Sequence, residues 1–324
     1  VSTRPPKVVG RLAPSPTGAQ HVGNARTYLI AWLSARSRGG RVVLRIEDID
    51  SPRVKAGAAG QALEDLRWLG LDWDGEPVVQ TLRSEAYIAA LDCLRRQELV
   101  YPCTCSRGDV ERAASAPHGE HEVPVYRGTC AGRRAAELDA LGDRPYSWRF
   151  RVPNRTPLFS DLFCGEVSLD LGKTGGDFVV WRAAPGSREG ASPAYQLAVV
   201  VDDAAQGVTE VVRGDDLVPS TPRQLLLYEA LGLPPPTFCH VPLVVGLDGR
   251  RLAKRHGDTR LASLRQAGVR PEALAGLLAW SCGWLERPQP VTPRELLPVF
   301  RLRSIPERPF VLEPELLKRI GWQG

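Results

Sequence analysis

The run Arg11-Leu-Ala-Pro-Ser-Pro-Thr-Gly18, two residues ahead of His21-Val-Gly-Asn24, limits this chain more than any other stretch. Val8-Val-Gly10 before it reads as a short strand. After it, Ala25, Tyr28, Leu29, Trp32 and Leu33 recur at i, i+3, i+4, i+7 and i+8, which is one face of a helix. The layout is strand, rigid Pro/Gly loop, helix start, with a histidine and a glycine where the helix begins. N–H groups of a first helical turn have no intrahelical partner and sit at the positive end of the dipole. They form a ready phosphate site, and Gly23 lets a nucleotide approach the backbone closely. His21 adds a donor for charge developing on a transferring phosphate. A proline-rich turn feeding an ordinary core helix accounts for the apolar spacing but not for the polar string around it.

A second β-like run, Arg41-Val-Val-Leu-Arg-Ile46, leads into Glu47-Asp-Ile-Asp50, and helical patterns follow at about 56–70 and 84–99. Strand and helix alternate as a parallel α/β sheet requires, and ligands of such sheets collect at the carboxyl ends of the strands. From Cys103 the pattern breaks into charges, cysteines and a His/Gly/Pro loop, and short strands dominate from Tyr146 to Asp177. It resumes with Ala198-Val-Val-Val-Asp202 as a strand-like run, a helix near 221–232 and Val241-Pro-Leu-Val-Val245. Beyond Thr259 the reading is mostly helical, through 261–267, 271–284 and two shorter pieces. The expected divisions are 1–102 and 178–258 as two halves of one α/β domain, 103–177 as an insertion, and 259–324 as a short helical C-terminal region.

Seven cysteines, an odd number at uneven spacing in a chain of 324 residues, favour reduced thiols and metal ligation over a disulfide framework. No apolar run approaches membrane-spanning length and the N-terminus shows no signal-peptide core, so no membrane association and a cytoplasmic location are expected. The net charge is +5, unevenly spread. After residue 250, 13 Lys and Arg stand against 7 Asp and Glu; before it, 29 stand against 30. A basic C-terminal surface suits a phosphate backbone, though a solvated helical face has the same composition.

The start of that basic region is Arg251-Leu-Ala-Lys-Arg255. The chain has 42 basic residues but only five lysines. A lysine amid arginines points to a need for a compact ammonium on phosphate. With Arg11–Gly18 and His21–Asn24, this segment resembles the HIGH and KMSKS signatures of class I aminoacyl-tRNA synthetases, specifically their glutamyl/glutaminyl branch. The resemblance implies a Rossmann-like parallel-sheet catalytic domain that binds ATP with Mg²⁺. His21, Gly23 and Lys254 become its catalytic and ATP-binding residues, with Lys254 stabilising the pentavalent α-phosphate. Arg251 and Ala253 depart from the usual lysine and serine of the second signature.

Tyr195-Gln-Leu-Ala-Val-Val-Val-Asp-Asp203 and Val211-Val-Arg-Gly-Asp-Asp216 resemble the glutamate-recognising region of that branch. Glutamate carries two carboxylates and one ammonium. Arg11 and Arg213 can each grip a carboxylate with paired donors, Glu47 can accept the ammonium, and Ser15 and Tyr195 add hydroxyl contacts. Asp48 and Asp50 could attend Mg²⁺, but Asp-Ile-Asp-Ser is also a good helix cap, the reading preferred here. The aspartate pairs at 202–203 and 215–216 receive no catalytic role.

Cys103-Thr-Cys105 and Cys130 within a loop-rich insertion read as a structural zinc site. Zinc's usual chemistry makes His118 or His121 the fourth ligand. The pattern Cys-x-Cys…Tyr-x-x-x-Cys is similar to that of the glutamyl-Q tRNA(Asp) synthetases, and the resemblance implies Tyr126 instead, a phenol whose acidity a zinc ion would raise. Cys93, Cys164, Cys239 and Cys282 are expected in the core. That family esterifies glutamate to the queuosine base at the wobble position of tRNA(Asp), which makes queuosine-containing tRNA(Asp) the expected partner. Competing readings are a conventional glutamyl-tRNA synthetase core, which continues into a large anticodon-binding region for which about 65 residues are too few, and a non-catalytic tRNA-binding relative.

Overall fold

A computed structural model describes residues 7–16, 18–49, 54–106, 108–110, 125–155, 157–184, 187–252 and 258–323. Strand β1 (Val9–Leu12) crosses through helix α1 (Val22–Arg36) to β2 (Arg41–Ile46), which pairs with it in parallel from Val9↔Arg41 to Leu12↔Leu44. Helix α2 (Ala58–Trp68) precedes β3 (Val78–Val79), parallel to β2, and α3 (Ser84–Arg96) follows. The chain then leaves this sheet for β4 (Val100–Cys103), β5 (Ser147–Phe150), the hairpin β6 (Leu158–Asp161) and β7 (Gly165–Ser168), β8 (Phe178–Ala184) and β9 (Ser187–Pro193). Strands β4, β5, β8 and β9 form an antiparallel sheet in that order.

Helix α4 (Tyr195–Ala205) returns the chain to the parallel layer as β10 (Glu210–Gly214), α5 (Thr221–Ala230) and β11 (Thr237–Val241). Strands β10 and β11 pair in parallel, with β6 beyond β11. The Thr209 amide donates to the Val9 carbonyl at 2.9 Å, so β10 enters beside β1. The two βα runs thus meet along β1 and β10, the reversal of strand order where α/β sheets open a crevice.

Two expectations need correction. Ala198–Asp202 is the middle of α4 rather than a strand, and Leu197, Ala198, Val199 and Val200 are all buried. A helix buried on several sides produces the same unbroken apolar run as a buried strand. The segment 241–245 is not continuous either. Pro242 lacks an N–H for a ladder, and β11 ends before it while β12 (Val244–Val245) begins after it.

Helix α1 is also buried more widely than one stripe. Ile30, Ala31, Ser34 and Ala35 join Ala25, Leu29, Trp32 and Leu33 inside. The reason is a second layer: α6 (Leu261–Gln266), α7 (Pro271–Ser281), β13 (Phe310–Val311, paired with β12) and α8 (Pro314–Arg319). Leu261, Leu264, Leu274, Leu277, Leu278, Leu316 and Leu317 share one apolar core with α1, β1 and β2. Fully buried Arg26 ties the layers, donating to Ser281 Oγ at 3.0 Å and to the Pro242 carbonyl at 2.7 Å. Among the described residues no helix is long and apolar enough to cross a membrane.

Of the remaining cysteines, Cys239 and Cys282 are buried as expected, but Cys93 is only half-buried and Cys164 is exposed. Cys164 sits in the β6–β7 turn, at the surface where hairpin turns belong. Asp48 does cap a helix, though not the one that follows it in sequence. Its carboxylate accepts from the Thr81 amide (2.9 Å) and hydroxyl (2.7 Å), in the 3₁₀ turn Gln80–Arg83. Asp50 lies outside the described residues.

Candidate active site

Arg11 and Arg213 stand near the carboxyl ends of β1 and β10, and Glu47 follows the last residue of β2. Those ends, the N-terminus of α1 and the first residue of α4 bound a cleft of ≈ 490 Å³. It brings together seven of the residues singled out from sequence: Arg11, Ser15, His21, Gly23, Glu47, Tyr195 and Arg213. Lys254 lies outside the described residues. Flanking it, Arg251 lines the cleft, and a short antiparallel bridge joins Arg260 to His21, with the Val22 amide donating to the Thr259 carbonyl at 3.0 Å and the Leu261 amide to that of Gln20 at 2.9 Å.

His21 is the N-cap of α1, in extended backbone conformation. Its Nδ1 accepts from the Gly23 amide at 3.1 Å, and Asn24 Oδ1 accepts from the His21 amide at 3.1 Å. Asn24 thus closes a capping box. Because Nδ1 accepts, the ring proton belongs on Nε2. Burial and the Arg251 charge push the His21 pKa down to about 4, so the ring is a neutral N–H donor at pH 7. A Cβ on Gly23 would stand 3.0 Å from His21 Cε1 and 3.1 Å from Nδ1. Glycine here makes room for the imidazole itself.

The two arginines are held differently. Arg11 donates through Nη1 to the Val212 carbonyl at 2.8 Å, while its buried Nε has no hydrogen-bond partner among the described residues. Asp203 Oδ1 is 3.9 Å from that nitrogen but is engaged by Arg45 at 2.7 Å. Arg213, 4% exposed, donates to His240 Nε2 (3.0 Å), Thr221 Oγ1 (2.8 Å) and Tyr195 Oη (3.4 Å), all neutral groups. Burial holds its pKa below the usual guanidinium value. A buried guanidinium without a carboxylate partner is costly unless an anion completes the site. Glu47 is positioned by fully buried Arg45, whose Nη2 and Nε both donate to its Oε1, at 2.9 and 3.3 Å.

Arg45, Asp161 and His240 escaped the sequence reading. With Asp203, which that reading named without a role, they carry the polar scaffold beneath the cleft, and Asp216, likewise named without a role, pairs with Arg251 at 2.9 Å. One signal was available, a histidine inside the apolar strand Thr237–Val241. Asp202, which was given no catalytic role, staples α3 to α4 by accepting from Gln80, Arg83 and Tyr87.

In the insertion, the sulfurs of Cys103, Cys105 and Cys130 all lie within 4.8 Å of one another. A tetrahedral centre with Zn–S of about 2.3 Å needs sulfurs about 3.8 Å apart, and Cys105 and Cys130 are 3.7 Å apart. Burial opposes ionisation of Cys130, yet hydrogen bonds, led by one from the Thr104 backbone, bring its pKa down to about 7. Arg149 Nε lies 3.3 Å from the Cys103 sulfur, which suits a thiolate. The three cysteines can hold a metal ion. The Tyr126 hydroxyl is 3.5 Å from the Cys103 sulfur and accepts from the Cys130 amide at 2.7 Å, so it stands at the same cluster. His118 and His121 lie outside the described residues.

The family described as tRNA synthetases class I (E and Q), catalytic domain, matches residues 7–288. A relative in Rhodopirellula baltica named Glutamyl-Q tRNA(Asp) synthetase is 55% identical over 85% of this chain and 85% of its own length. One of the same name in Symbiobacterium thermophilum is 51% identical over 96% of this chain and 98% of its own. The crystal structure of the glutamate-tRNA synthetase from Elizabethkingia anophelis superimposes with a TM-score of 0.81 at 26% identity, covering 97% of this chain and 70% of that one. The two signature segments, the parallel sheet between them and the shared cleft therefore have one common source: this chain belongs to the class I tRNA synthetases of the E and Q type.

Proposed function

We propose that this chain activates glutamate with ATP and transfers it to the queuosine base of tRNA(Asp). The observation that carries the first half is the convergence of Arg11, Arg213 and Glu47 on the cleft that also presents His21 and Gly23. Two cationic groups and one anionic group match the two carboxylates and one ammonium of glutamate. Ser15 and Tyr195 add hydroxyls at its edge. The helix start at His21 faces the same space, so the α-carboxylate and the α-phosphate of ATP meet there for in-line attack.

The neutral Nε2–H of His21 and the ammonium of Lys254 stabilise charge on the phosphate as pyrophosphate departs. Mg²⁺ bound with ATP would supply further screening of the triphosphate charge. A hydroxyl of the cyclopentenediol ring of queuosine then attacks the adenylate and releases AMP. No protein residue forms a covalent intermediate. The names of the relatives that match most of this chain support queuosine-containing tRNA(Asp) as acceptor. Cys103, Cys105, Tyr126 and Cys130 would hold a structural zinc ion, which would tie β4 to the loop around Cys130.

The test is glutamate-dependent exchange of pyrophosphate into ATP, run with and without tRNA. Exchange without tRNA is expected. Its absence under both conditions would reduce the chain to a binding protein with a synthetase fold.

A further inference from the structure

Beneath the cleft runs a buried chain of three side chains from three neighbouring strands. Arg213 and His240 are register partners on β10 and β11, and Asp161 ends β6 on the far side of β11. Asp161 Oδ2 lies 2.7 Å from His240 Nδ1, and both side chains are inaccessible to solvent. The Asp161 carboxylate also accepts the amides of Phe163 (2.9 Å), Cys164 (2.9 Å) and His240 (3.1 Å). Burial opposes its ionisation, but these bonds hold its carboxyl below the usual carboxylate range. An ionised carboxylate only accepts, so Nδ1 carries the His240 proton. Nε2 is then a lone pair, and it receives Arg213 Nε–H at 3.0 Å. Burial keeps the ring from a second proton.

This arrangement does something that a direct Asp–Arg pair could not. It fixes the plane of the guanidinium through Nε while the balancing negative charge stays one imidazole away. Arg213 therefore has no carboxylate in direct contact, whereas Arg11 has Asp203 at 3.9 Å, a charge that acts on Arg213 only from farther away. We propose that His240 is a specificity-determining positioning residue: by giving Arg213 a neutral acceptor, it orients the guanidinium without neutralising it, and so makes the cleft select an anionic amino-acid side chain over its neutral amide. The inference rests on the reading of the cleft as a glutamate pocket and assigns the side-chain carboxylate to Arg213.

Pyrophosphate exchange with glutamate and with glutamine gives the selectivity as a ratio of kcat/KM, and the KM for ATP serves as the internal control. His240→Gln retains a neutral acceptor and is expected to hold the selectivity within about threefold. Asp161→Asn/His240→Glu moves the carboxylate onto Arg213 at constant total charge. It is expected to lower the glutamate-to-glutamine ratio by about tenfold or more, the scale of one charge-assisted contact, with the ATP KM unchanged. Equal weakening of both amino acids, or an unchanged ratio in the double variant, would overturn the inference while leaving the pocket intact. Lack of glutamate-dependent exchange in the unaltered chain would instead sink the pocket itself. Should the variants not fold, ¹⁵N NMR of the unaltered protein decides: an unprotonated Nε2 on His240 is expected, and an Nε2–H tautomer would refute the arrangement.

Discussion

Gly23→Ala separates two reasons for a glycine at this helix start. The added methyl would lie 3.0 Å from His21 Cε1 and 3.1 Å from Nδ1, with Val244 Cβ at 3.5 Å on its other side. Comfortable carbon contacts begin at about 3.5–4.0 Å, so the imidazole must move by roughly 0.5–1 Å. Stability should change little. Alanine in place of glycine in a helix gains about 0.5–1 kcal/mol, and a weakened N-cap loses about 1 kcal/mol. The rate should not escape, because a shift of about 1 Å in a catalytic group can cost 10²-fold. The expected outcome is a melting temperature close to that of the unaltered chain and an exchange rate at saturating substrates reduced roughly 10- to 100-fold. His21→Ala, which removes the donor outright, should lose about 10²–10³. If the methyl acts through the ring, the double variant should be no slower than His21→Ala alone. Strictly additive losses would refute this reasoning and return Gly23 to the simpler role of letting the nucleotide approach the backbone.

Other expectations follow from the same geometry. Arg213→Ala and Glu47→Ala should each raise the KM for glutamate by the equivalent of about 3–5 kcal/mol and leave the KM for ATP nearly unchanged; equal effects on both substrates would remove that residue from the amino-acid pocket. The folded pKa of His21, about 4, lies below its ordinary 6.5. The unfolded chain therefore binds more protons between these values, so the His21 contribution is whole above pH 6.5 and is lost as pH falls towards 4, by at most about 3 kcal/mol. Urea midpoints at pH 4.5 and 7.5 should consequently converge in His21→Asn relative to the unaltered chain, and an unchanged difference would contradict the neutral-donor assignment. Metal analysis should find one zinc per chain, retained less firmly against chelators in Tyr126→Phe but not in His118→Ala or His121→Ala. The reverse pattern would make a histidine the fourth ligand.

The sequence was most legible where chemistry and chain order coincide. The Pro/Gly loop, its histidine and the helix after it are contiguous, so their local physics can be read residue by residue, and both α1 and the cleft lie where that reading puts them. Glu47 was legible for a related reason, as a polar residue at the carboxyl end of an apolar strand, whereas Arg213 was legible through the resemblance of Val211–Asp216 to the glutamate-recognising region. What pairs across strands was not legible. Nothing between Asp161 and His240 in sequence announces that β6 and β11 will be neighbours, and Arg45 looks like any alternating strand residue until Asp203 arrives from α4. Ala198–Asp202 misled because burial on several sides erases periodicity, the one feature that tells a helix from a strand. The wide burial of α1 was hidden similarly, since its second apolar neighbour comes from residues after 260.

The central claim concerns the acceptor, and an anticodon stem-loop of tRNA(Asp) without a 3′ CCA end tests it most directly. Such a fragment lacks the 3′ CCA adenosine that a conventional synthetase esterifies, so label that depends on the wobble base reports transfer to the cyclopentenediol of queuosine. Incubated with the protein, ATP and labelled glutamate, the queuosine-containing fragment should acquire label, and the same fragment carrying guanine at that position should not. Label that appears on the 3′ end of tRNA(Glu), with none on the queuosine fragment, would contradict the account.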